Sequence, residues 1–179
     1  MDVEGVYRKS GGSGQVKAIQ QGFEKEGGYD ISDPDLDIHA VTSCLKQYFR
    51  KLPNPLITYD VYDNVLEAAS LPDADKKGYS MKAAIGNLPQ SHRDVLEYLI
   101  HHLVRVVEKE SVNLVGVFHA RYATHLILTI FAQMTPLNLS VVFAPTIMRP
   151  MSIEREMTDM QAQRDVVRTL LDNVDTVFE

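Results

Sequence analysis

Residues 45–56, which read LKQYFRKLPNPL, join the end of a helical repeat to a turn that contains two prolines. The repeat starts after a turn and helix-start signal at residues 33–35, and its apolar positions recur in three- and four-residue steps. These positions are Ile38, Val41, Leu45, Tyr48, Phe49 and Leu52. The pattern predicts an amphipathic helix that ends before Pro53, because proline lacks the amide hydrogen that would continue the hydrogen-bond ladder.

Two basic residues of this predicted helix, Lys46 and Arg50, are four positions apart and therefore project from one face. Most such pairs belong to a solvated helix face and have no further role. The spacing alone therefore does not distinguish a binding site from ordinary surface charge.

A second informative segment lies near the start of the chain. Arg8 stands just before a glycine-rich run, residues 11–14, where the chain reverses easily because glycine accepts positive φ. The sequence predicts that Arg8 lies in or beside a loop, although a loop arginine is most often only a solvated residue. From Gln15, an apolar stripe predicts a surface helix that stops at Gly27 and Gly28.

The rest of the chain is also dominated by helical periods. Helices are predicted at residues 59–69, 74–87, 91–107, 137–143 and 157–178, with Ser91 as an N-cap and Pro145 ending the fourth. Residues 115–132 fit either a buried helix or a pair of strands, and periodicity does not separate the two. The prediction is an all-α helical bundle in which residues 1–179 form a single domain.

Composition narrows the possible functions. A net charge of -6 argues against a nucleic-acid binder, which would normally carry a basic face. The only cysteine, Cys44, cannot form an internal disulfide, and the first residues lack a secretory signal, so a cytoplasmic protein is expected. Residues 122–148 contain no charged side chain, but Pro136, Asn138 and Pro145 interrupt them. Membrane contact is expected to be indirect only.

The sequence offers little for catalysis or metal binding on its own. The glycines at 11–14 match neither a phosphate-binding loop nor a dinucleotide fingerprint. Glu97 and His101 lie one helical turn apart, but no further ligands stand at a supporting spacing, so surface polar residues are the better interpretation and no metal site is predicted. Cys44 has no histidine partner at a motif spacing and is expected to be buried and inert.

Four segments carry a recognisable pattern, and they are residues 4–11 (EGVYRKSG), 45–56 (LKQYFRKLPNPL), 137–145 (LNLSVVFAP) and 166–178. In this order they resemble the segments of the RhoGAP domain family. The combination is specific, because it places two cationic residues before a Leu-Pro-x-Pro-Leu turn, downstream of a Tyr-Arg-x-Ser-Gly loop. The resemblance implies a RhoGAP-like helical bundle.

The resemblance also implies a function. The chain would stimulate GTP hydrolysis by a Rho-family GTPase in its GTP-bound form, and Arg8 would be the arginine finger that enters the partner's active site. Lys46 and Arg50 would hold the finger loop and the switch regions of the GTPase in place, and Asn138 would line the same face. Pro55 would shape the following loop and would itself pack against the GTPase surface. The chain would have no active site of its own and would need no cofactor, since the GTPase supplies the nucleotide and magnesium. The alternative is a GTPase-binding module without catalytic effect.

The sequence departs from the family pattern at three places. It starts only seven residues before Arg8, so the first helix of the family would be missing. Residues 114–133 look like an atypical insertion, either an extra helix or lid or a retained intron translated in frame. Thr146 follows Pro145 where many members carry asparagine. The serine and glycine detail of the first loop is similar to fungal members.

Overall fold

The structure, a computed structural model, describes residues 3, 5–25, 29–33, 35–113 and 135–179. Within these ranges the chain forms α-helices and turns and contains no strand, which confirms the predicted all-α class. The helices are α1 Ser13–Phe23, α2 Ile38–Lys51, α3 Tyr59–Ser70, α4 Ala74–Ile85, α5 Gln90–Asn113, α6 Pro136–Ile147, α7 Ile153–Thr158, α8 Met160–Asp172 and α9 Val174–Phe178.

Helix α2 forms as its sequence predicts. The carboxylate of Asp37 caps it by accepting a hydrogen bond of 2.9 Å from the backbone N–H of His39. The helix ends at Lys51, two residues before Pro53. It buries Phe49 of the predicted apolar repeat and also Ala40, which the repeat did not include, whereas Tyr48 of the repeat is 61% exposed.

Two hydrophobic clusters hold the described helices together. The larger one gathers residues of α3 to α6, α8 and α9, with Met81, Ile100 and Phe143 fully buried, and it also receives Phe49 from α2. The smaller one lies between α1 and α2 and contains Val16, Ile19, Ala40 and Cys44. Helix α2 therefore belongs to both clusters and connects α1 to the main core, which the opening segment also reaches directly through Val6 and Tyr7. Cys44 is buried, as expected.

Gly11 is the point where the opening segment crosses α2. A Cβ atom at this position would lie 2.2 Å from the backbone nitrogen of Ala40, so only glycine fits. The N–H of Gly11 donates a hydrogen bond of 3.2 Å to the hydroxyl of Ser43 on α2. This crossing seats the segment that carries Arg8 directly against the helix that carries Lys46.

Two predicted helix ends were wrong. Ser91 is not an N-cap, because α5 already begins at Gln90 and the carbonyl of Pro89 accepts hydrogen bonds from the N–H groups of His92 and Arg93. Helix α6 does not stop at Pro145 but continues to Ile147. Proline removes only the bond to the carbonyl of Val141, on an exposed part of the helix, and burial of Ile147 in the core holds the final turn.

The single closing helix predicted at residues 157–178 was also wrong. The chain forms α7, α8 and α9, with breaks at Asp159 and Asn173. Asn173 has φ −127° and ψ 30°, outside the helical range, and this break redirects α9 so that it packs against α4 and α5. Val177 and Phe178 are thereby buried in the main core.

Several predictions fall outside the described residues. They are the atypical insertion at 114–133 with its retained-intron hypothesis, the choice of helix or strands at 115–132, and the glycine stop at 27 and 28. Among the residues that are described, no helix combines the length and apolar character that crossing a membrane requires.

Candidate functional site

Arg8 lies in a tight turn formed by residues 5–9, which we call the arginine turn. The carbonyl of Gly5 accepts hydrogen bonds from the N–H groups of Arg8 (3.0 Å) and Lys9 (2.9 Å). Gly5 has a φ of 72°, the left-handed conformation that glycine adopts without strain. The Arg8 side chain is exposed on this turn. The predicted loop position of Arg8 is therefore confirmed.

Tyr7 anchors the arginine turn in the protein interior. It also has a φ of 72°, which is strained for an aromatic residue, yet it is only 4% exposed. Its ring packs edge-to-face on Phe143 of α6, with 5.1 Å between ring centroids, and its hydroxyl lies 2.6 Å from Nε2 of His102 on α5. The reversed backbone at Tyr7 turns its side chain inward while the neighbouring Arg8 is presented to solvent.

Lys46 holds the backbone of the same turn. Its side chain is buried, and its Nζ donates a hydrogen bond to the carbonyl of Tyr7. Burial lowers the pKa of Lys46, and the nearby positive charge of Arg50 lowers it further. The interpretation of Lys46 as part of a solvated helix face was therefore wrong, whereas Arg50 is indeed exposed.

Pro55 lies in a second segment, residues 52–58, which we call the proline loop. Pro55 is buried within the chain, so in this structure its ring shapes the loop from inside. The N–H of Ile57 donates to the carbonyl of Ile147 at the end of α6, at 2.9 Å. Nδ1 of His92 on α5 lies 2.9 Å from the carbonyl of Leu56. The loop is thus fixed from two helices.

Arg149, just after α6, ties the end of α2 to the proline loop. Its guanidinium donates hydrogen bonds to the carbonyls of Arg50 (3.2 Å), Leu52 (2.5 Å) and Pro53 (3.1 Å). It also donates to the hydroxyl of Tyr59 at 2.9 Å and lies 5.8 Å from the centre of that ring. The planar five-donor group thereby satisfies carbonyls at a helix end, a role that lysine would not fill.

Asn138 lies half-buried in the first turn of α6. The hydroxyl of Thr135 caps this helix by accepting a hydrogen bond of 3.2 Å from the N–H of Asn138. Helix α6 also packs against α2 and supplies Phe143 to the Tyr7 ring. The predicted residues Arg8, Lys46 and Asn138 are thus carried by three adjoining elements, and Lys46 is in direct contact with the turn of Arg8.

In the described part of the chain, no group of three or more His, Cys, Asp or Glu residues could hold a metal ion. His101, one of the two residues considered, instead packs its ring against Phe178, with 6.2 Å between centroids. The geometry therefore gives His101 a packing role at the end of the chain.

Residues 1–152 match the family model for the RhoGAP domain. The chain belongs to the RhoGAP domain family. It is 37% identical over 178 residues to the probable Rho-type GTPase-activating protein 4 of Schizosaccharomyces pombe, covering 99% of this chain and 17% of that protein. It is 36% identical over 182 residues to N-chimaerin of Rattus norvegicus, covering 99% of this chain and 49% of that protein. This RhoGAP chain therefore spans less than half the length of both relatives.

Solved structures agree with the RhoGAP assignment. The crystal structure of human Rho GTPase activating protein 15 superposes with a TM-score of 0.83 at 28% identity, covering 99% of this chain and 76% of that one. The BH domain of Graf, the GTPase regulator associated with focal adhesion kinase, gives a TM-score of 0.78 at 27% identity, covering 98% of this chain and 84% of that one.

Three residues of this RhoGAP domain that shape the site were not predicted from the sequence. These residues are Tyr7, His102 and Arg149, and each acts through a partner that is remote in sequence. Tyr7 and His102 are 95 positions apart, and Arg149 is 97 positions from Leu52. The one available signal, for His102 alone, was a pair of histidines, His101 and His102, inside an otherwise apolar stretch. That signal does not reveal the partner.

Proposed function

We propose that this chain stimulates GTP hydrolysis by a GTP-bound Rho-family GTPase, in cytoplasmic signal transduction, and that Arg8 is the arginine finger inserted into the partner's active site. One observation carries the proposal. Arg8 is exposed on a turn whose adjacent residue, Tyr7, is buried and is held by Lys46. Membership of the RhoGAP family and the names of the relatives support the same activity.

The chemistry of phosphoryl transfer explains why an arginine is needed. Negative charge spreads over the oxygens of the transferred phosphoryl group, and a guanidinium supplied by another protein neutralises it. Such a finger contributes roughly three to five orders of magnitude in rate, which is about 4 to 7 kcal/mol of barrier. The GTPase supplies the nucleotide, the magnesium and the attacking water, and Arg8 completes its site.

The other site residues have supporting roles in this proposal. Lys46 fixes the turn from behind through the Tyr7 carbonyl. Arg50, exposed one helical turn further along α2, binds the GTPase surface, and Asn138 at the start of α6 lines the same face. Pro55 acts by shaping the proline loop, whose exposed members Pro53 and Asn54 are the ones available for contact.

We further propose that residues 1–179 act as one domain. The family match ends at 152, but the following helix α8 contributes Val166, Val167 and Leu170 to the same main core as Phe143. Helix α8 also packs directly against α6. Residues after 152 are therefore needed to bury the helix that carries Asn138.

Single-turnover GTP hydrolysis by a panel of Rho-family GTPases, with and without the chain, tests the activity. We expect acceleration of at least one GTPase, and Arg8→Ala should reduce it by about 10³-fold or more while complex formation is largely retained. Lys9→Ala, a change of the neighbouring exposed cation in the same turn, is the matched control and should leave the rate nearly unchanged.

Two outcomes would oppose the proposal. If the folded chain binds a GTPase without accelerating it, the chain is a non-catalytic binding module. If it accelerates hydrolysis equally well with Arg8→Ala, the chain is an activator but Arg8 is not its finger. Circular dichroism on each sample confirms that the variants are folded.

A further inference from the structure

The backbone carbonyl and the side-chain hydroxyl of Tyr7 are held by different helices. Its carbonyl accepts from Lys46 of α2, its ring packs on Phe143 of α6, and its hydroxyl is 2.6 Å from Nε2 of His102 on α5. Each contact removes a different freedom: the first fixes the backbone, the second limits ring translation and the third limits ring rotation. The residue next to Arg8 is therefore clamped between three helices.

We propose that the Tyr7 hydroxyl and His102 form a positioning pair that sets the direction in which Arg8 leaves the arginine turn. The inference rests on the proposed function, since it assigns a cause to the orientation of the finger. Neither residue contacts the GTPase in this scheme; both act through Arg8.

The protonation states of the pair suit a lasting hydrogen bond. Burial raises the pKa of Tyr7 to about 12, so the phenol keeps its proton at neutral pH. Burial also lowers the pKa of His102, and the positive charges of Arg105 and Lys109 lower it further, which favours the neutral imidazole. A neutral phenol and a neutral imidazole provide one donor and one acceptor for each other. Loss of either partner would leave a polar group without its partner in a partly buried site.

Backbone strain at Tyr7 points to function and not only to packing. A buried aromatic residue can occupy a core with ordinary negative φ, yet Tyr7 is held at 72°. Strained residues of this kind persist where the surrounding structure over-determines them, and they concentrate at functional sites. Here the strain has a specific consequence, because the reversed backbone separates the inward Tyr7 from the outward Arg8. Because one peptide unit joins the two residues, a small displacement of Tyr7 changes the position of the Arg8 side chain.

Tyr7→Phe tests the pair, because it removes one oxygen and keeps the ring packing on Phe143. With a Rho-family GTPase that responds to the wild-type chain, we expect kcat of stimulated hydrolysis to fall about tenfold to a hundredfold, the loss typical of a catalytic group displaced by about 1 Å. KM should change little. Tyr62→Phe is the matched control, since it also removes a buried hydroxyl, bonded to Asp159 and Gln163, but outside the arginine turn. It should leave kcat unchanged.

Two further variants separate positioning from general destabilisation. His102→Gln, whose side-chain amide can still meet the phenol, should retain most of kcat, whereas His102→Leu should lose as much as Tyr7→Phe. In an Arg8→Ala background, Tyr7→Phe should cause no further loss, because a positioning residue has nothing left to position.

The failures are distinguishable. If Arg8→Ala removes stimulation but Tyr7→Phe does not lower kcat, the positioning pair is overturned and the proposed function stands. An equal loss from Tyr7→Phe with and without Arg8 would also overturn it, by showing a structural effect. If Arg8→Ala itself has no effect on stimulated hydrolysis, the chain is still an activator but Arg8 is not its finger, and the positioning inference fails with that role of Arg8.

Discussion

The arginine turn and the proline loop both adjoin helix α2 but are held in different ways. The turn is held mainly through a strained residue, Tyr7, whose backbone is bonded by Lys46 of α2 and whose side chain contacts α5 and α6, and the neighbouring Val6 is buried in the main core. The loop contains two prolines with restricted φ and is further bound by the guanidinium of Arg149, which bonds three backbone carbonyls around the end of α2.

The difference suggests a division of tasks. A segment that is held through the residue next to Arg8 can set the direction of that side chain, and small changes at Tyr7 should alter rate more than stability. A segment bound by several hydrogen bonds at a helix end is part of the scaffold, and changes there should alter stability more than rate. The first two predictions below test that division, the third tests the left-handed backbone at Gly5, and they are given in order of decreasing effect.

Arg149→Met should give the largest of these effects and should act on stability. Removing the guanidinium leaves three carbonyls and the Tyr59 hydroxyl without their donor, and we expect the free energy of unfolding to fall by about 2 to 4 kcal/mol. Urea denaturation followed by circular dichroism measures it. At temperatures where the variant is folded, kcat should be nearly normal.

Arg155→Met is the matched control for Arg149. Its guanidinium pairs with the exposed Asp63 and with the half-buried Asp159, in side-chain contacts only, so less stability should be lost than for Arg149→Met. A kcat loss for Arg149→Met as large as that for a turn variant would contradict the division and show that loop and turn behave as one unit.

Lys46→Met should act on rate. The side chain keeps its apolar bulk, but the Tyr7 carbonyl loses its donor and the turn loses its backbone anchor, so we expect kcat to fall roughly tenfold to a hundredfold. The unfolding free energy should change less than for Arg149→Met, because the change also removes a buried charge whose pKa is lowered by desolvation.

Lys51→Met, which removes an exposed cation from the end of the same helix, serves as its control and should leave kcat unaffected. If Lys51→Met reduces kcat as much as Lys46→Met does, then net positive charge on α2 matters and the contact with Tyr7 does not.

Gly5→Ala should give the smallest effect. A φ of 72° strains any residue with a Cβ, and the new atom would lie 3.2 Å from Cγ of Lys9, so the variant should lose about 1 kcal/mol of stability. Gly14→Ala is the opposite control, because it faces open space within α1 and should gain a few tenths to about 1 kcal/mol. The unfolding temperatures of both variants test this prediction. If both temperatures rise, the backbone at Gly5 has relaxed to accept the Cβ atom.

Local sequence was a good guide wherever the physics is local. The period of α2, the stop before Pro53 and the loop at Arg8 follow from side-chain spacing, proline and glycine, and all three were predicted correctly. Helix ends were predicted less well, because they depend on tertiary packing. Helix α6 continues beyond Pro145 because Ile147 is buried in the core, and the break at Asn173 accompanies the packing of α9 against α4 and α5.

By itself, the sequence determined the all-α class, the family motifs and the positions of Arg8, Lys46, Arg50 and Asn138 on their elements. Only the tertiary structure decided that Lys46 is buried against Tyr7, that Tyr7 meets His102, and that Arg149 holds the proline loop. The physical reason is distance along the chain. Periodicity and turn chemistry act over a few residues, whereas these contacts join groups 39 to 97 positions apart and exist only once the helices have packed.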